Sequence, residues 1–156
     1  MVELRPAHPE HAAFLSELTY RAKASHGYDT AMMEIVGADC GVLPEHISPN
    51  TTMLAVENDI ILGFAHLQQV DIPDTIYLED LFIEPTAQGR GIGKLLFAWA
   101  EQQAVLLGHT WLEWESDPNA TPFYEKVGGI KIKEVESDNL PGRMIPIFRK
   151  RLIPNT

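Results

Sequence analysis

The stretch Thr75–Leu107, TIYLEDLFIEPTAQGRGIGKLLFAWAEQQAVLL, decides the fold. Thr75 to Ile83 is rich in strand-forming residues and is bounded by Pro73 and Pro85, so it reads as a strand. Along it, Leu81 and Ile83 share the face opposite Asp80 and Phe82. From Gly91 to about Leu107, Ile92, Leu95, Leu96, Trp99 and Leu106 recur at helical spacing, and Gly108 is placed to cap the helix. Between strand and helix lies Gln88-Gly89-Arg90-Gly91-Ile92-Gly93-Lys94, with glycine at alternate positions.

The chemistry of that turn follows from its composition. Glycine permits positive φ and lets a ligand approach backbone amides closely. A helix N-terminus presents unpaired N–H groups and a partial positive charge. Together they make a cradle for an anion such as phosphate. Arg90 and Lys94 add two cations within a chain that is acidic overall. A P-loop would need Ser or Thr after Gly93-Lys94 and Gly at position 88, where Leu95 and Gln88 stand. The dinucleotide fingerprint G-x-G-x-x-G fails as well. A strand–helix turn without a ligand is the other reading of the same residues.

Outward from this centre, Val2 to Arg5 reads as a first strand. A helix opened by Pro9 follows, with Phe14, Leu15, Leu18 and Ala22 as its inner face. A second helix is expected over Ala31–Asp39, facing inward with Met32, Ile35 and Val36, and a short turn over Glu45–Ile47. Met53–Glu57 and Ile60–Gln68 flank Asn58-Asp59, a two-residue hairpin signal. Beyond the central helix come a strand over Thr110–Glu115, a helix over Asn119–Val127 stopped by Gly128-Gly129, and strands over Ile130–Val135 and Met144–Arg149. Pro146 within the last strand predicts an edge position or a bulge. The order β-α-α-β-β-β-α-β-α-β-β describes a mixed α/β chain built on one sheet.

Composition bounds the function. The 156 residues suit a single domain with a sizeable core, and 45% hydrophobic with 22% charged residues is an ordinary globular balance. No apolar run reaches the length of a membrane span, and MVELRPAHPEH lacks signal-peptide features, so a cytoplasmic protein is expected. Cys40 is the single cysteine and forms no internal disulfide. His8 and His11 lie close in sequence without an accompanying ligand set, so no metal is expected. A net charge of −10 disfavours nucleic acid and anionic membranes, and mildly favours a cationic or amine substrate.

Gln88-x-x-Gly91-x-Gly93 after a strand resembles the pyrophosphate loop of the GNAT acetyltransferase superfamily. Asp117-Pro118-Asn119-Ala120 followed by Phe123-Tyr124-Glu125-Lys126-Val127-Gly128 resembles that family's downstream block, one helix and one strand further on. The resemblance covers Thr51 to about Val135 well and the N-terminal helices loosely. It implies one GNAT domain over residues 1–156. Its fold would be a central mixed, mostly antiparallel sheet, splayed between strands 4 and 5 and flanked by helices. The implied activity is acetyl-coenzyme A-dependent N-acetyl transfer to a small-molecule or peptide amine. A non-catalytic acyl-coenzyme A sensor and an enzyme with a longer acyl donor remain the alternatives.

Site residues follow from the same resemblance. Gln88, Gly89, Arg90, Gly91, Ile92, Gly93 and Lys94 would hold the pyrophosphate. The backbone of Leu81, Phe82 and Ile83, splayed from Thr110–Glu115, would pair with the pantetheine arm, with Asn119, Phe123 and Lys126 also on the cofactor side. Asn119 is equally a candidate N-cap for its own helix. Tyr124 is the candidate general acid, because a phenol stays protonated at neutral pH, or else a packed helix tyrosine. Glu79 is the candidate base, expected to be desolvated beside a hydrophobic cleft, with Glu113 and Glu115 behind it. Tyr28 and Arg143 are candidates for the acceptor pocket, each with a plain packing or loop role as the alternative. A homodimer is an open expectation of the resemblance.

Overall fold

The computed structural model describes residues 1–37 and 40–154. Its strands are β1 (Glu3–Pro6), β2 (Thr52–Glu57), β3 (Ile60–Gln69), β4 (Thr75–Ile83), β5 (Trp111–Glu115), β6 (Ile130–Glu136) and β7 (Met144–Arg151). Its helices are α1 (Ala12–Ala24), α2 (Thr30–Val36), α3 (Ile92–Leu106) and α4 (Thr121–Lys126). The sheet order is β1-β2-β3-β4-β5-β7-β6. It is mixed: β4 pairs parallel with β5, whereas β1 with β2, β2 with β3, β5 with β7 and β6 with β7 are antiparallel. Contacts divide the chain into two compact units, Met1–His66 with Asp80–Leu96, and Leu67–Glu79 with the chain from Phe97 onward.

In the first unit, β2 and β3 turn at Asn58-Asp59, both with positive φ (52° and 62°), as a two-residue hairpin demands. Leu15 and Leu18 of α1 pack with Leu54, Val56 and Phe64 of the sheet and with Ala7, Ala12 and Ile47. Phe14, expected inside, is exposed, and the Arg21 guanidinium lies over its ring. One helical turn offers two overlapping stripes, and packing on the sheet selected Leu15, Leu18 and Ala22. In α2, Asp29 Oδ1 caps the Met32 N–H at 2.8 Å. The buried residues there are Met33 and Val36, whereas the expected Ile35 faces solvent. The expected end of this helix at Asp39 lies outside the described residues.

In the second unit, the β4–β5 ladder runs over Thr75–Tyr77 and Trp111–Glu113 and ends there. Trp114 stacks on Phe148 (5.9 Å, 8°) and meets Phe97 and Tyr124 edgewise or tilted, both at 5.2 Å. Gly129 is needed at the exit of α4, because a Cβ there would stand 2.7 Å from the Trp114 ring. Strand β7 lies between β5 and β6, so Pro146 is not on an edge strand as expected. It is tolerated because β5 has ended at its level. Its carbonyl accepts the Ser116 N–H at 2.9 Å, and the donor that proline lacks would point the same way. The irregularity falls instead on β6, between Lys131 and Lys133. Strand β6 closes the sheet order at one end.

Along α3 the buried residues are Ile92, Leu96, Phe97, Ala100 and Ala104. Leu95 and Leu106, assigned to its inner stripe from spacing, are exposed. Alanines, not leucines, line the inner face of its later turns.

Candidate functional site

The turn from β4 to α3 is held at its entrance. The Glu84 N–H donates to Leu62 O at 2.8 Å, and a single 3-10 turn, Pro85–Ala87, closes through Ala87 N–H to Glu84 O at 2.9 Å. Arg21 of α1 grips the Glu84 carboxylate with Nε at 3.1 Å and a second donor, Nη2. The chain then opens. Gly89 and Gly91 take φ of +81° and +80°, a region that L side chains rarely adopt, and no atom lies within 4 Å of where a Cβ would stand. The helix begins with Leu95 N–H to Gly91 O at 3.1 Å.

The backbone N–H groups of Gly89 through Lys94 donate to no acceptor among the described residues. They sit at the head of a fifteen-residue helix whose aligned peptide dipoles favour negative charge there. This donor set, with open space at both glycines, fits a diphosphate group. The electrostatics differ from the sequence expectation in one respect. Arg90 Nη2 reaches both oxygens of Glu57 at 2.9 Å, which holds the Glu57 carboxyl below the usual carboxylate range. Its charge is thus largely balanced. Lys94 is exposed, has no ion-pair partner among the described residues, and supplies the local positive charge. Gln88 touches Ser25 Oγ only weakly, at 3.4 Å. Leu81, Phe82 and Ile83, which precede the turn, are half-buried.

The remaining expected residues have other surroundings. Tyr124 is buried, with Trp114, Phe97, Phe123 and Phe148 around its ring. Lys126 closes α4 and is exposed. Asn119 is not an N-cap. Asp117 caps the 3-10 turn Pro118–Ala120, in which Asn119 lies, its Oδ1 accepting the Asn119 N–H at 2.8 Å, and α4 itself begins after Ala120 with no side-chain cap. Asp117 Oδ2 also accepts from Arg143 Nη2 at 3.2 Å, so the Arg143 cation already has a carboxylate partner. Tyr28 meets His26 edge-on at 6.5 Å. Glu79 is exposed, so it lacks the desolvation expected of it. His11 Nδ1 accepts the His8 N–H at 3.0 Å, a local role for that pair.

Sequence reasoning ranked one buried side chain too low and missed two others. Glu113, ranked behind Glu79, is the buried carboxylate, 7% exposed. Tyr77, opposite Glu113 in the ladder, has its phenol pushed well up by burial and then by Glu115, Glu113 and Glu79. His66 on β3 is 4% exposed, and burial, with His46 adding repulsion, pushes its imidazole down to about 4. A run of alternating residues gives no sign of which polar group ends up enclosed.

Comparison with known proteins agrees with this geometry. Residues 24–140, three quarters of the chain, match the family described as "Acetyltransferase (GNAT) domain". L-ornithine N5-acetyltransferase NATA1 of Arabidopsis thaliana is 38% identical over 109 residues, 68% of this chain. The chain spans about half of that relative's length, 48%. Among solved structures, a GCN5-related N-acetyltransferase from Rhodopseudomonas palustris superposes with a TM-score of 0.79 at 22% identity, covering 96% of this chain and 95% of that one. PaiA N-acetyltransferase from Thermoplasma acidophilum, in complex with coenzyme A, gives a TM-score of 0.73 at 17% identity, covering 97% and 99%. At those identities the structures attest the fold, and the sequence match attests kinship. The chain belongs to the GNAT acetyltransferase domain family.

Proposed function

We propose that the whole chain acts as one acetyltransferase domain that uses acetyl-coenzyme A to acetylate the amine of a small molecule or peptide. The observation that carries this is the row of N–H groups from Gly89 to Lys94, unclaimed by protein acceptors at the head of α3. Kinship with an ornithine N5-acetyltransferase and likeness to a coenzyme A-bound acetyltransferase support the donor and the acceptor class.

Acetyl-coenzyme A would supply an acetyl group activated as a thioester. The Gly89–Lys94 amides and the Lys94 ammonium bind its diphosphate, with Gln88, Arg90 and Ile92 shaping the turn. The backbone of Leu81, Phe82 and Ile83 orients the pantetheine arm, and Asn119, Phe123 and Lys126 are the further cofactor-binding residues of this reading. Tyr124 donates its phenolic proton to the departing sulfur. Glu79, exposed and so able to exchange protons with bulk water, accepts the proton that the amine loses. Tyr28 and Arg143 are the acceptor-side residues of this reading, and Arg143 must give up Asp117 to bind an acceptor carboxylate.

Calorimetry with free coenzyme A, followed by a thiol-release assay with acetyl-coenzyme A and an amine panel, tests the reading. Saturable binding and amine-dependent thiol release are expected. Absence of coenzyme A binding overturns it, and binding with no turnover on any amine points to a sensor instead.

A further inference from the structure

Two arginine–carboxylate pairs hold the turn between β4 and α3, and they are built differently. At its entrance Arg21 engages Glu84 through two nitrogens, and the Glu84 N–H is itself fixed on Leu62 O at 2.8 Å. Further along, Arg90 reaches Glu57, the last residue of β2, through a single nitrogen, Nη2, which both carboxylate oxygens share at 2.9 Å. The Nε and Nη1 of Arg90 donate to nothing among the described residues. Arg90 stands between Gly89 and Gly91, within the row of unclaimed amides.

A guanidinium fork suits two parallel hydrogen bonds to one oxyanion. Arg21 uses its fork fully, so that pair is the strut of the turn. Glu57 occupies only one arm of Arg90. This second pair is also open to water, with the Arg90 side chain 45% exposed and that of Glu57 23%. Ion pairs so exposed add little to stability, and exchanging one partner for another anion costs little. A phosphate arriving at the Gly89–Lys94 amides brings tetrahedral oxygens to the same backbone from which the Arg90 side chain springs. It can take two donors where the carboxylate takes one. While Arg90 stays on Glu57, the carboxylate cancels a positive charge that the phosphate would otherwise meet.

We propose that Glu57 parks Arg90 in the free chain and yields it to a phosphate of the bound nucleotide, so that this carboxylate sets how tightly the turn holds its ligand. The assignment rests on the coenzyme A reading, and its test tells the two apart. Calorimetry with free coenzyme A compares the full chain with Glu57→Gln, Arg90→Gln, the double variant and Asp59→Asn, at 0.15 M salt, where screening acts beyond about 8 Å. Asp59 is the control, since it carries the same charge in the same hairpin but pairs with Arg5, at 3.0 Å. Glu57→Gln should bind about two- to fivefold tighter, Arg90→Gln more weakly, and Asp59→Asn as the parent does. In the double variant the gain disappears, the mark of a coupled pair. Thermal unfolding verifies that these surface variants fold. Dephospho-coenzyme A, which lacks the ribose 3′-phosphate, locates the new partner. An equal gain puts Arg90 on the diphosphate, and a gain confined to the complete cofactor puts it on the ribose phosphate. Unchanged or weaker binding in Glu57→Gln, an equal gain in Asp59→Asn, or a gain that persists without Arg90 overturns the exchange while leaving the coenzyme A site standing. No binding in any of the chains overturns both.

Discussion

His66 illustrates how one enclosed side chain couples to the stability of the fold. Its imidazole titrates near 4 when folded and near 6.5 when unfolded. Above pH 6.5 it is neutral in both states and contributes no pH dependence. As pH falls from 6.5 towards 4 the unfolded chain takes up the proton first, so stability is lost across that window, by roughly 2–3 kcal/mol. Urea unfolding at pH 7 and pH 4.5 measures the loss, and His66→Gln should flatten it. Tyr124 separates chemistry from packing in the same way. Tyr124→Phe keeps the ring that Trp114 and Phe148 surround, so Tm should change by no more than a few degrees. The kcat should fall by roughly 100-fold if the phenol delivers a proton. An unchanged kcat across pH assigns the residue to the aromatic cluster alone. His66 could not be picked out from sequence, because what encloses it comes from strands and turns distant in the chain.

At the level of elements, the turn into α3 was legible and the helix faces were only partly so. Proline, alternate glycines and a sudden helical period are local signals, and local geometry obeyed them at Gly89 and Gly91. The inner faces of α1, α2 and α3 depended on which of two adjacent stripes met the sheet, and Phe14, Ile35, Leu95 and Leu106 fell on the wrong side. The cap at Asp117 was misplaced by two residues onto Asn119, since both residue types cap well. The turn itself yields a sharp test. Gly91→Ala forces a Cβ into φ +80°, at a cost of about 1–2 kcal/mol, and re-aims the amides behind it. Coenzyme A affinity measured by calorimetry should drop more than tenfold while the far-ultraviolet spectrum is retained. Undiminished affinity would remove the turn from the binding site.

For the molecule as a whole, the charge inventory was readable and strand order was not. Placing β7 inside the sheet, with Pro146 in it, required knowing that β6 folds back beyond it, a long-range pairing invisible to local patterning. Net charge of −10 has a direct kinetic consequence. Long-range attraction for a cationic acceptor weakens as salt shortens the screening length from about 30 Å at 0.01 M to about 8 Å at 0.15 M. The KM for the amine should rise severalfold over that range, while KM for the anionic acetyl-coenzyme A stays level or falls. A parallel rise in both would count against steering by the overall field.

The sheet's last strand has a consequence of a different kind. Strand β6 runs through Ile130-Lys131-Ile132-Lys133-Glu134-Val135-Glu136, nearly all of it in contact with water. An outermost strand offers unpaired peptide groups to any other extended chain, the usual seed of fibrous stacking. Lys131 and Lys133 followed by Glu134 and Glu136, with Lys131 Nζ on Glu134 Oε1 at 2.8 Å, charge that rim, and the slipped register at Lys131/Lys133 bends the template. Exposed isoleucines can thus sit on this rim without inviting a cross-β partner.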